Sequence, residues 1–257
     1  MHHSIWVGYD PRESEAFAVC RRTLRHFAPG VPIHAVVLDE LRDAGLYRRP
    51  TSKRDAQLWD DISDAPMSTQ FAISRFLVPK LAGTGWALFM DCDIIARQPL
   101  SELFASLDER YAVMCVQHPN YTPPDAVKMD GQMQTLYARK NWTSVMAFNC
   151  GHSANYRLTV DMINDLPGRD LHRFSWLKDK EIGALDPKWN FLVGVSDPKI
   201  DPALCHFTSG GPWFEDYRDV PYADEWLAER QEWLDEERFV HGRPSTWDAP
   251  TYANGAA

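Results

Sequence analysis

Short apolar runs closed by polar or glycine-rich residues alternate along this chain with stretches whose apolar residues recur every three or four positions. Ile5 to Tyr9 is the first run and predicts a buried strand ending at Asp10-Pro11. Glu13 to Phe27 then sets Phe17, Cys20, Leu24 and Phe27 at helical spacing, and Pro29-Gly30 stops that helix. Pro32 to Leu38 predicts a second strand. A strand–helix–strand opening implies an α/β fold with a mostly parallel central sheet flanked by helices, in which ligands sit beyond the carboxyl ends of the strands. Tyr9 and Asp10, at the end of the first strand, are candidates for touching a base or ribose. Asp10 serves equally well as a helix-starting residue.

Residues 40 to 66 are charged and lack a period, which predicts an irregular surface connection or a loop over a site. Ser68 caps a predicted helix from about Thr69 to Lys80, with Pro79 marking a frayed end. Within it Arg75 stands alone as a cation among Phe71, Phe76 and Leu77. An arginine in that position needs an anionic partner, and a diphosphate or a structural carboxylate would serve.

Trp86 to Met90 is wholly apolar and bounded by Gly85, as suits a strand buried on both faces. Asp91 and Asp93 follow, flanking Cys92. In extended backbone, residues two apart share a side, so the two carboxylates project together and Cys92 turns away. Two hard oxygen donors at the mouth of a buried sheet form half a site for Mg2+ or Mn2+; alone, such a pair is more often a solvated strand exit or a helix cap.

Further on, Gln98 to Phe104 reads as a helical turn and Tyr111 to Val116 as a strand, followed by a long polar stretch, 117 to 143, that suits a lid or acceptor platform. Ser144 to Gly151 predicts a strand running into Asn149, whose amide can both donate to and accept from a sugar hydroxyl. Ser153 is the expected cap of a helix bearing Tyr156, Val160 and Ile163. Leu185-Asp-Pro-Lys-Trp-Asn190 is a proline-ruled turn. Ala203 to Phe207 predicts a last strand that delivers His206 to Thr208-Ser-Gly-Gly-Pro-Trp213, where the bare backbone of Gly210 and Gly211 can approach an anion. Tyr222 to Phe239 is an acidic amphipathic helix. With no repeat or composition break, residues 1–257 read as one domain, with 218–257 as its C-terminal helix and tail.

A net charge of -9 disfavours a nucleic-acid backbone or an anionic membrane as partner. No apolar stretch reaches membrane-spanning length, and the opening residues do not read as a secretory signal. Five cysteines without a CxxC pair suggest reduced, buried thiols and a cytoplasmic location. Walker, HExxH and Gly-x-Ser-x-Gly signatures are absent.

Together, Asp91-Cys-Asp93, Asn149-Cys-Gly151, Leu185 to Asn190 and His206 to Trp213 make the chain resemble the metal-dependent glycosyltransferases of the GT-A fold, closest to family 8. The resemblance covers most of the chain, to about Trp213. It implies a single Rossmann-like nucleotide-sugar-binding domain that transfers a sugar, with retention, from a UDP-sugar or other nucleotide sugar to a saccharide, lipid or protein acceptor. It implies Asp91, Asp93 and His206 as ligands of Mn2+ (or Mg2+). Tyr9, Asp10, Arg75, Asn149, Gly210, Gly211 and Trp213 are then expected to line the donor. Two departures stand out. The family's lysine before Pro-Trp is replaced by Ser209-Gly210-Gly211, and its Asp-Gln pair beneath the sugar has no match. Asp179 is the nearest candidate for the residue beneath the anomeric carbon. Competing readings are a non-catalytic nucleotide-sugar-binding module, a sugar nucleotidyltransferase and a metal-dependent hydrolase.

Overall fold

The computed structural model describes residues 2–55, 57–118, 139 and 141–241. β1 (His3–Gly8) is buried along its apolar length. A 3-10 turn then leads into α1 (Ser14–Phe27), which buries Phe17, Val19, Cys20 and Leu24 on one face. β2 (Ile33–Val36) and the short α2 (Leu38–Asp43) follow.

The charged stretch after α2 is not irregular. β3 (Thr51–Arg54), β4 (Gln57–Asp60) and β5 (Ala65–Met67) form a three-stranded antiparallel sheet. Its anchor is polar. Arg49, with a fully buried side chain, pairs with Asp60 and donates to the Ile163 and Leu166 carbonyls at 2.8 and 2.7 Å. Hydrophobic periodicity carries no trace of such an anchor. The helix expected over 69–80 is broken into α3 (Phe71–Ser74), a 3-10 turn and α4 (Val78–Ala82). Pro79 lies in the first turn of α4, where its missing N–H leaves no bond unmade, and Gly83 ends that helix at φ 72°.

β6 (Trp86–Met90) is buried at every position. After it come β7 (Ile94–Ala96), α5 (Ser101–Ala105), β8 (Val113–Cys115) and β9 (Val145–Asn149). Next are α6 (Val160–Asp165), α7 (Gly168–His172), β10 (Ile182–Ala184), β11 (Phe191–Leu192), β12 (Leu204–His206) and α8 (Ala223–His241). Between β9 and α6, His152 rather than Ser153 caps a 3-10 turn, and Tyr156 is 70% exposed, so it does not supply the expected core face.

The main sheet has the order β10-β8-β9-β6-β1-β2 and is mostly parallel, as expected, with β9 alone running against its neighbours. A second sheet, β11-β12-β7, lies beside it. There β12 runs antiparallel to β7 with His206 opposite Ile94, and Phe207 N–H donates to the Asp93 carbonyl at 2.9 Å. That pairing brings the end of β12 to the residue that follows the β6 strand end. α8 packs on α1 through Arg230–Glu15 and Arg22–Glu229 ion pairs. Most of the 117–143 stretch and the tail after residue 241 lie outside the described residues, and with them the expected lid or acceptor platform. Among the described residues no helix is long and apolar enough to cross a membrane.

Candidate metal centre

The buried strand β6 ends at Met90, and residues 91 to 93 form a bend at the carboxyl edge of the sheet. The Asp91 N–H donates to the Ser144 carbonyl at 2.9 Å, pinning the bend to the start of β9. Cys92 turns inward, as the alternation predicts, with Sγ 3.7 Å from Glu13 Oε2. Burial first, then the charges of Glu13 and Asp93, push its thiol well above the usual range, so it stays protonated. Asp91 and Asp93 are left facing the edge, the first half-buried and the second 5% exposed.

His206 completes a cluster with them. One ligand atom from each of Asp91, Asp93 and His206 lies within 4.8 Å of the others. His206 is 1% exposed. Its Nδ1 is 2.9 Å from Asn190 Oδ1, while Nε2 lies 3.3 Å from Asp93 Oδ1 and has no hydrogen-bond partner among the described residues. Two carboxylates and an imidazole nitrogen brought together at a buried edge make a donor set that fits a divalent cation of the Mn2+ or Mg2+ type. Nearby, the buried atoms His118 Nε2, Asn141 Nδ2 and Thr208 Oγ1 also lack partners among the described residues. Burial, then the neighbouring His206, lower the pKa of His118 to about 4.

Of the other expected site residues, Arg75 comes closest. It is buried, its guanidinium donates to Asp91 Oδ1 and to the Thr143 carbonyl at 2.8 Å each, and it rests on the faces of Phe71 and Phe89. Its anionic partner among the described residues is the carboxylate of Asp91. Tyr9 sits half-buried at the same sheet edge, edge-on to Phe17. Asp10 does not open onto the site. It is fully buried, caps the 3-10 turn through Arg12 N–H at 3.0 Å, accepts from the Arg12 guanidinium and accepts from Gln70 N–H at 3.0 Å. Its helix-starting role is the one the fold uses.

The glycines after His206 serve packing. A Cβ on Gly211 would lie 2.0 Å from the Trp213 ring, and one on Gly210, at φ 139°, would lie 2.8 Å from Tyr217. Trp213 itself packs against Phe207 and Trp226, in a small core that ties this loop to α8. Asn149 is at the wrong end of the sheet. Because β9 is antiparallel, Asn149 pairs with Trp86 at the start of β6, roughly 17 Å of strand away from Asp91 at about 3.4 Å per residue. There it lines a separate cleft of about 580 Å3 with Trp86, Glu109 and His152. Asp179 is exposed and paired with Arg139 at 2.6 Å, outside the three-residue cluster. Thr143, Ser144 and Asn190, which do frame the cluster, carry no local signal beyond Asn190's place in the Leu185 to Asn190 turn.

No family model matches the chain. Protein CDI of Arabidopsis thaliana is 42% identical over 241 residues, spanning 91% of this chain and 88% of that protein. The chain belongs to the Protein CDI family. Several solved glycosyltransferases share the shape of this chain. The galactosyltransferase LgtC, solved with donor and acceptor sugar analogs, superposes with a TM-score of 0.56 at 14% identity, covering 89% of this chain and 95% of LgtC. GlyE of Streptococcus pneumoniae TIGR4 gives 0.57 at 12% identity, over 96% of this chain and 66% of GlyE. The bifunctional glycosyltransferase WbbM gives 0.59 at 13% identity; it covers 95% of this chain, which spans about half (52%) of WbbM. The fold of this Protein CDI relative is thus the GT-A fold of those enzymes.

Proposed function

We propose that this protein is a divalent-metal-dependent glycosyltransferase of the family 8 type, moving a sugar with retention from a nucleotide diphosphate sugar, a UDP-sugar by preference, to a saccharide, lipid or protein acceptor. The observation that carries this reading is the Asp91–Asp93–His206 cluster at the carboxyl edge of the sheet, with the Nε2 of His206 turned toward Asp93. The GT-A fold agrees with it, since such sheets bind their ligands beyond the carboxyl ends of the strands. The buried atoms of His118, Asn141 and Thr208 that lack partners among the described residues are suited to a polar ligand, because buried polar groups are ordinarily paired.

In such a transfer the hard step is the build-up of negative charge on the departing nucleoside diphosphate. An Mn2+ or Mg2+ ion held by Asp91, Asp93 and His206 would stabilise that charge. Arg75 holds Asp91 in place and offsets part of the charge of the two aspartates. Tyr9, half-buried at the same edge, is the side chain assigned to the base. The protein's remaining task is to set an acceptor hydroxyl against the anomeric carbon in a site closed to water.

A non-catalytic nucleotide-sugar-binding module is the second reading, favoured by the exposed, ion-paired Asp179, which leaves the position beneath the sugar without an assigned residue. A thermal-shift panel of UDP, GDP, ADP and CDP, each with and without Mn2+, tests the site. A metal-dependent rise for one nucleotide is expected, and no rise for any would overturn the proposal. Hydrolysis or transfer of the matching nucleotide sugar then separates the enzyme from the module.

A further inference from the structure

Asn190 closes the proline-ruled turn 185–190 and is completely buried, yet no step above requires it. Its hydrogen bonds can be read in one direction only. The Asn141 carbonyl can accept but not donate, so the Asn190 atom 3.1 Å from it must be the amide nitrogen, Nδ2. The Ser144 hydroxyl, 2.7 Å from that same carbonyl, spends its proton there and offers Nδ2 a lone pair at 2.9 Å. Nδ2 is therefore satisfied by two acceptors, and Oδ1 must be the atom that faces His206 Nδ1 at 2.9 Å. Oδ1 can only accept, so Nδ1 of His206 carries a proton.

With the proton on Nδ1, the neutral ring presents a lone pair at Nε2. Nε2 and Asp93 Oδ1 are then two acceptors 3.3 Å apart, an arrangement that favours a cation between or beside them. We infer that Asn190 is a positioning residue that selects the Nδ1–H tautomer of His206 and so turns Nε2 into a metal donor. The chain from Asn141 and Ser144 through Asn190 to His206 ties the start of β9 to the end of β12, across the site. Partners one bond removed from a metal ligand fix its tautomer and ring orientation in this way, and their loss commonly lowers metal affinity about 10- to 100-fold. The inference rests on the metal site proposed above.

Its test is Mn2+ binding by calorimetry, together with the ring 15N shifts of His206, assigned by comparison with His206→Gln and recorded without metal. At a pH where the ring is neutral, the wild type should show Nδ1 protonated and Nε2 bare. Asn190→Ala should mix the tautomers and lower Mn2+ affinity about 10- to 100-fold. Asn190→Asp keeps an acceptor toward Nδ1 but sets its second oxygen against the Asn141 carbonyl, so it should hold the tautomer and recover only part of the affinity. Should Asn190→Ala fail to fold, Ser144→Ala removes one of the two acceptors that orient the amide, and a smaller loss of the same sign is expected. Wild-type affinity and an unmixed tautomer in the folded Asn190→Ala or Ser144→Ala protein would overturn the inference and leave the metal site standing. A wild type that binds no Mn2+ would overturn both.

Discussion

Arg75 and Asp91 form an ion pair at 2.8 Å, and the same arginine nitrogen donates to the Thr143 carbonyl at 2.8 Å. Arg75 is thus the clamp that joins the end of β6 to the entry of β9 while partly neutralising the acidic edge. Removing it strands Asp91 half-buried next to Asp93. Arg75→Ala should therefore lower unfolding stability by about 3 kcal/mol. Urea denaturation of the metal-free protein checks this, and a loss below about 0.5 kcal/mol would show that the pair contributes only as an exposed bridge does.

Asp93→Asn separates stability from function. The two aspartates lie within one cluster and repel each other, so neutralising one should stabilise the metal-free fold by about 1 kcal/mol while the Mn2+-dependent nucleotide shift disappears. His206→Ala should lose the same shift. Thermal melts with and without Mn2+ measure both effects. An unchanged Mn2+-dependent shift in the two variants would remove the site.

Asn149 is the contrasting case. It faces the cleft at the opposite end of β6, so Asn149→Ala should leave Mn2+-dependent nucleotide binding within about twofold of wild type. A tenfold loss in calorimetry would mean that this edge takes part in donor binding after all.

His118 predicts an acid-side pH dependence of stability. Its folded pKa of about 4 lies below the ordinary value of 6.5. Between the two the unfolded chain binds more protons, so stability rises with pH across that window. The contribution is complete above about 6.5 and is lost as pH falls toward 4, with a size of order 1–3 kcal/mol. His118→Gln should flatten that slope in metal-free urea titrations at pH 4.5 and 7; an unaltered slope would assign it to other groups.

The main strands, α1 and the paired carboxylates were legible without coordinates because each rests on a local rule. β6 is apolar on both faces, so its strand and the carboxylates at its exit follow from pattern alone. The pattern placed His206 at the end of β12, and its role beside the aspartates came from the resemblance to family 8. The 40–66 region was not legible, because its sheet hangs on the buried Arg49–Asp60 pair and the carbonyls of Ile163 and Leu166, partners over a hundred residues apart in part.

What the sequence by itself determined is which residues can do chemistry: two carboxylates two apart after a buried run, a histidine at a strand end, and an arginine in need of an anion. What only the tertiary structure decided is which of them meet. The antiparallel course of β9 sends Asn149 away and brings Thr143 and Ser144 to the aspartates. The pairing of β12 with β7 sets His206 beside Asp93, and Asn190 orients it. Strand direction and partner choice depend on contacts between distant segments. A side chain's chemistry is local, but its neighbours are set by how the whole sheet assembles.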